Sequence, residues 1–165
     1  MFVLLRQLQA IRRESRLERG DRPRWLGIRH VDAGSCNGCE HELGLITNPL
    51  HDIQRFGLDL VASPRHADIL LVTGQVTTRM AGPLMVAYEA MPTPRLVAAL
   101  GDCALGCNIL GDPAQFAGSV DELLPVDIRI PGCPPSPAAI AAALLAALAS
   151  QPQRASAAAT KSHAR

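Results

Sequence analysis

All five cysteines of the 165-residue chain fall in three short stretches: Cys36-Asn37-Gly38-Cys39, then Cys103 with Cys107, then Cys133. None is left over for ordinary core packing. Each stretch is also rich in glycine or proline, as expected where backbone passes close to something bulky. A Cys-x-x-Cys pair by itself serves redox dithiols, zinc knuckles and iron–sulfur sites alike. Taken with the distant cysteines, it reads as part of a four-thiolate metal site assembled from separate loops. Any fold for this chain has to bring those loops together.

The hydropathy pattern supplies a fold that does so. Residues 25–31, 58–62, 68–73, 96–100 and 126–130 read as strands, and residues 40–47, 78–90 and 137–148 as helices, with a weaker helix over 113–123. Ile69-Leu70-Leu71-Val72 is a continuous apolar run, the pattern of a parallel strand buried on both faces. Strands alternating with helices imply an α/β domain with a parallel sheet and right-handed crossovers. Ligands of such sheets sit beyond the carboxyl ends of the strands, near the topological switch point. The cysteines obey this rule: Cys36 and Cys39 follow the first strand, Cys103 and Cys107 the 96–100 strand, and Cys133 the 126–130 strand.

Aromatic residues make up only 3% of the chain, so the core must be built from Leu, Val, Ile and Ala. An odd number of cysteines argues against a disulfide framework and for a reducing compartment. The net charge of +1 hides an asymmetry, because residues 1–30 carry eight arginines against three acids while residues 31–150 carry five arginines against twelve acids. Met1, Leu4, Leu5, Leu8 and Ile11 form a helical stripe within that basic segment. Residues 1–24 are therefore expected to be a basic amphipathic arm that meets lipid, a partner or its own domain. Arg12-Arg13 precedes Glu14-Ser15-Arg16-Leu17-Glu18-Arg19 rather than an apolar stretch, so no export signal is expected there. Residues 25–149 form the expected domain, and 150–165, rich in Ala and Ser without periodicity, a disordered tail. The 137–148 helix is apolar nearly all round and is expected to be buried against the sheet or a partner. No nucleic-acid motif or aromatic interleaving is present.

Four thiolates at one sheet edge suit either zinc or a [4Fe–4S] cluster. Structural zinc usually staples small folds from compact knuckles, whereas a cubane is wider, takes ligands from several loops and accepts backbone N–H bonds at its sulfides. Gly34, Gly38, Gly101, Gly106 and Gly132 would let backbone approach such a group. A redox dithiol remains a third reading.

Four motifs carry a resemblance: Gly34-Ser35-Cys36-Asn37-Gly38-Cys39-Glu40-x-Glu42, Ala62-Ser63-Pro64-Arg65-His66-Ala67-Asp68, Gly101-x-Cys103, and Pro125-Val126-Asp127-x-x-Ile130-Pro131-Gly132-Cys133-Pro134-Pro135. They resemble the superfamily that joins the 20 kDa subunit of respiratory complex I to the small subunits of [NiFe] hydrogenases. The resemblance implies a flavodoxin-like parallel sheet with helices on both faces. It also implies one [4Fe–4S] cluster held by Cys36, Cys39, Cys103 and Cys133, with no catalytic residue in this chain itself. Cys-x-x-Cys in the first loop, where complex I subunits look like Cys-Cys, is similar to membrane-bound group 4 hydrogenases and formate hydrogenlyase. The chain departs from the family at Gly106-Cys107-Asn108, where a Gly-Gly pair is usual. Cys107 is then a bystander at the cluster's edge, a substitute ligand or plain packing.

The same resemblance implies a catalytic large subunit, a ferredoxin-like electron-transfer subunit, and membrane-arm subunits met through the N-terminal arm. It places the chain on the cytoplasmic face of the inner membrane. Quinone reduction in a complex I-like or nickel-free relative, and a zinc-stapled structural module, are the rival functions. Glu42 matches an acid that the family keeps beside the cluster, and Arg65 could offset cluster charge or orient the large subunit. Glu40 reads as a first-turn helix acid, Asp102 as a turn cap, and His41, His51 and His66 as solvated loop residues.

Overall fold

The computed structural model describes residues 25–107 and 111–150. The expected arm over 1–24 and nearly all of the expected tail lie outside the described residues. Among the described residues, seven strands run in chain order as β1 (Leu26–Asp32), β2 (Leu58–Leu60), β3 (Ile69–Thr73), β4 (Val76–Thr77), β5 (Leu96–Leu100), β6 (Phe116–Gly118) and β7 (Ile128–Ile130). The helices are α1 (Gly38–Leu45), α2 (Thr78–Glu89), α3 (Val120–Leu123) and α4 (Pro137–Ser150). Five strands form one sheet in the order β2-β1-β3-β5-β7, with every pairing parallel. Counted within that sheet the order is 2-1-3-4-5, the flavodoxin-like order, with its switch point between β1 and β3.

The alternation of β3 shows why the sheet is covered on both sides. Ile69 and Leu71 face a core closed by Leu43 and Ile46 around α1 and by Ile140 and Leu144 of α4. Leu70 and Val72 face the opposite core, closed by Leu84 of α2 and Val120 of α3. All five residues of β3 are buried, which accounts for its unbroken apolar run.

The register places the functional edge. Asp32 pairs with Thr73, Thr73 with Leu100, and Leu100 with Ile130, so four parallel strands end in one row. Their loops leave at the same level. Two acids from the family-like motifs hold the opposite ends of the strands. Asp68, just before β3, accepts the Gly27 N–H at 3.0 Å, and Asp127, just before β7, accepts the Val97 N–H at 2.8 Å. These motif residues act on the ladder and not on the cysteines.

One expectation needs correction, and a second is narrowed. Residues 113–123 are not one helix. They comprise a 3-10 turn (Pro113–Gln115), strand β6, and the single turn α3. β6 pairs antiparallel with β4, a strand the hydropathy pattern did not reveal because it is two residues long. Ser119, whose N–H donates to Glu122 Oε2 at 3.3 Å, starts the helix late. Helix α4 buries only the stripe Ile140, Leu144 and Ala147, while Ala138, Ala139, Ala142 and Ala146 are exposed. Small side chains make its outer face apolar in composition without adding much apolar area. Among the described residues, no helix is long and apolar enough to cross a membrane.

Truncating Leu71, fully buried at the centre of β3, to alanine is expected to cost about 2–5 kcal/mol of stability in denaturant titration.

Candidate metal centre

The strand register turns three separate cysteine stretches into one wall. Cys36, Cys39, Cys103 and Cys133 line a single cavity of about 150 Å³, together with Ser35, Gly38, Gly74, Asp102, Gly132 and Pro134. Loops after β1, β3, β5 and β7 all contribute. One water-sized species needs roughly 10–15 Å³ on the same measure, so the space suits a group larger than a single ion. Among the described residues, no set of three or more His, Cys, Asp or Glu side chains converges where one metal ion would sit. The thiols surround a space instead of meeting at a point.

Local chemistry shapes each loop. Asp32 Oδ1 accepts the N–H groups of Gly34 at 2.9 Å and Ser35 at 2.8 Å, bending the chain out of β1 toward Cys36. Asn37 (φ 71) then precedes α1, which carries Cys39 on its first turn. After β5 the chain passes Gly101 at φ 89, where a Cβ would lie 2.6 Å from the sulfur of Cys39. Only glycine meets both demands. Gly38 is different, since its Cβ would meet Cys36 Sγ at an ordinary 3.5 Å. Gly38 lines the cavity without being sterically required there.

Gly106 serves the turn and not the cavity. Its φ is 96, its N–H donates to the Cys103 carbonyl at 3.2 Å, and the Cys107 N–H donates to the Asp102 carbonyl at 2.9 Å. These are the paired bonds of a Schellman closure with glycine in the left-handed position. Cys107 falls one residue beyond it, exposed, and does not line the cavity.

Electrostatics disfavour the thiolate forms of Cys39 and Cys103. The Cys39 thiol is pushed up to about 12, first by burial, then by the Glu40 carboxylate and the thiols of Cys103, Cys36 and Cys133. Cys103 is also raised, by burial first and then by Cys133 and Cys36. Neighbouring thiols thus add to burial in opposing ionisation of Cys39 and Cys103. A positively charged metal group removes that opposition and displaces the protons.

The remaining sequence candidates lie elsewhere. Glu42 is half-buried on α1 and outside the cavity wall, and Arg65 is exposed on the 3-10 turn Pro64–His66. His41 and His66 are exposed, and His51 is half-buried in the loop after α1. Glu40, read as an ordinary first-turn acid, has both carboxylate oxygens buried without a hydrogen bond. His30 Nε2 lies 3.6 Å from Glu40 Oε1 and 2.8 Å from Thr73 Oγ1. Burial lowers the His30 pKa despite the nearby Glu40 carboxylate. Sequence reasoning missed His30, and the available signal was a histidine on the inward-facing register of a buried strand. It also missed Gly74, whose loop passes against Ser35.

A flavodoxin-order sheet with a thiol-lined cavity at its carboxyl edge defines an α/β domain whose loops bring four cysteines to one place. Residues 36–147 match the family described as NADH ubiquinone oxidoreductase, 20 Kd subunit. The chain belongs to that family, whose members are iron–sulfur proteins. It is 44% identical over 119 residues to a probable membrane-bound hydrogenase subunit of Pyrococcus furiosus, covering 72% of this chain and 71% of that protein. It is 46% identical over 112 residues to formate hydrogenlyase subunit 7 of Escherichia coli, covering 68% of this chain but only 44% of that longer protein. Among solved structures, a chain of the membrane-bound sulfane sulfur reductase, an archaeal respiratory membrane complex, superposes with a TM-score of 0.64 at 31% identity. That match covers 80% of this chain and 75% of the other.

The raised Cys39 pKa sets a pH dependence for the metal-free chain. A thiol raised from 9.0 to about 12 holds its proton more tightly folded than unfolded. The stability it contributes is complete below pH 9 and is lost as the pH rises toward 12. Thermal melts of the metal-free chain are expected to show a Tm that declines across that window. Cys39→Ser is expected to flatten the decline.

Proposed function

We propose that this chain is the electron-transfer subunit of a membrane-associated, multisubunit oxidoreductase most similar to group 4 [NiFe] hydrogenases. It carries one [4Fe–4S] cluster on Cys36, Cys39, Cys103 and Cys133. The observation that carries the proposal is the single cavity lined by those four thiols from three loops. Gly101, without a side chain, leaves room beside Cys39. The spread of the thiols around a cavity supports a cluster over a single zinc ion. The donor set is all sulfur, which suits iron–sulfur chemistry.

When bound, the cluster supplies single-electron transfer. The chain's own residues do the rest. The four thiols bind, the strand row holds their loops in fixed relation, and Leu100 and Ala104, on either side of Cys103 in the chain, are buried in the two cores. The chain performs no bond chemistry of its own. Electrons pass between a ferredoxin-like subunit and a catalytic large subunit, with the basic arm over residues 1–24 meeting the membrane-arm subunits on the cytoplasmic face. The similarity to the sulfane sulfur reductase chain favours a second reading of the large subunit, in which its reaction is not hydrogen chemistry.

The full chain, expressed with iron–sulfur assembly and purified without oxygen, is expected to be brown and to hold about four irons, with an EPR signal on reduction. A colourless protein with one zinc per chain overturns the proposal. Cys103→Ser is expected to lose the cluster and Cys107→Ser to keep it. The reverse result reassigns the fourth ligand.

A further inference from the structure

Asp102 reads in the sequence as a turn cap, and its carbonyl does open the turn over 102–107. The structure gives it a wider part. Its N–H donates to the Gly132 carbonyl at 2.9 Å, and its Oδ1 accepts the Gly132 N–H at 2.7 Å. Main chain and side chain of one residue thus grip both polar groups of Gly132, thirty residues away in sequence. One residue earlier, the Gly101 N–H donates to the Ile130 carbonyl at 2.8 Å, so this grip extends the β5–β7 ladder past the last strand residues. The Asp102 carbonyl meanwhile accepts from Leu105 at 3.2 Å and from Cys107 at 2.9 Å, closing the turn that presents Cys103. Asp102 therefore adjoins Cys103 in the chain and holds the residue that adjoins Cys133. It also lines the cavity.

We infer that Asp102 is a positioning residue for the metal centre, fixing Cys103 relative to Cys133 and holding the cluster's reduction potential down; this rests on the [4Fe–4S] reading above. Two physical effects point the same way on potential. The Gly132 N–H is engaged by the carboxylate, so it is withheld from cluster sulfur, and hydrogen bonds to sulfur are among the factors that set such potentials. The carboxylate also places negative charge at the cavity wall, which opposes addition of an electron. On the geometric side, only Pro131 and Gly132 separate β7 from Cys133, and the two Asp102 bonds tie that exit to the Cys103 turn. Without the grip, the Cys133 loop loses both hydrogen bonds that Gly132 makes to the Cys103 turn.

Two variants separate these effects. Asp102→Asn keeps an oxygen able to accept the Gly132 N–H while removing the charge. Asp102→Ala removes both. The full chain and both variants would be purified without oxygen, then assayed for iron and sulfide content, rate of iron loss to a chelator, and midpoint potential by EPR-monitored titration. Melting of the metal-free forms would be recorded alongside. Asp102→Ala is expected to lose iron about 10–100-fold faster than the unaltered chain. Asp102→Asn is expected to keep its iron and to titrate at a more positive potential, a change that a purely structural role would not produce.

If Asp102→Ala does not fold, Asp102→Asn decides alone, and a midpoint equal to that of the unaltered chain overturns the inference. Equal iron-loss rates in all three proteins overturn it as well. An unaltered chain that holds zinc or no iron overturns the cluster reading and this inference together, which keeps the two failures distinguishable.

Discussion

The site depends on the register of the parallel ladder. Because Asp32, Thr73, Leu100 and Ile130 lie in one row across β1, β3, β5 and β7, the four loops that follow begin at the same height. A shift of one residue in any pairing would turn the alternate side chains of that strand to the other face. It would also carry its loop away from the row. Burial of β3 on both faces guards against that shift, since Ile69 and Leu71 belong to one core and Leu70 and Val72 to the other. The acids Asp68 and Asp127 pin the opposite ends of the same ladder. Packing far from the cysteines therefore decides where the cysteines are.

Electrostatics then bear on what such a cavity suits. Burial makes the Cys39 and Cys103 thiols costly to ionise, and the thiols beside them add to that cost. Thiolate ligation becomes favourable when metal charge offsets both terms. The protein's part is preorganisation: Asp32 bends the first loop, Gly101 clears the second, and Asp102 ties the second to the third. Each of these devices acts on backbone placement, so the sulfur atoms inherit their positions from hydrogen bonds one or two residues away.

Much of this was legible from the residues in order. The apolar run of β3, the strand before each cysteine stretch, and the helix ahead of Asn48-Pro49 all follow from local rules, because periodicity and breakers act over a few residues. The Gly106-Cys107 departure became legible only with the turn in view. The glycine answers a left-handed φ, and Cys107 falls outside the cavity wall. The 113–123 segment misled because three short pieces share a composition that a helix also tolerates. Its β6 partner, β4, lies about forty residues upstream and is two residues long. The apolar helix α4 packs on the sheet as expected, but composition could not say which alanines would face away from it.

By itself the sequence determined the class of fold, the three loops, and the sulfur character of the site, since each is written in residue type and spacing over short range. Tertiary structure alone decided which residues share the cavity. It placed Gly74 and Asp102 in the wall, left Cys107, Glu42 and Arg65 out of it, and buried Glu40 beside His30. The reason is physical: side-chain periodicity is a local property of the chain, whereas which loops meet is set by strand order and register between segments up to a hundred residues apart.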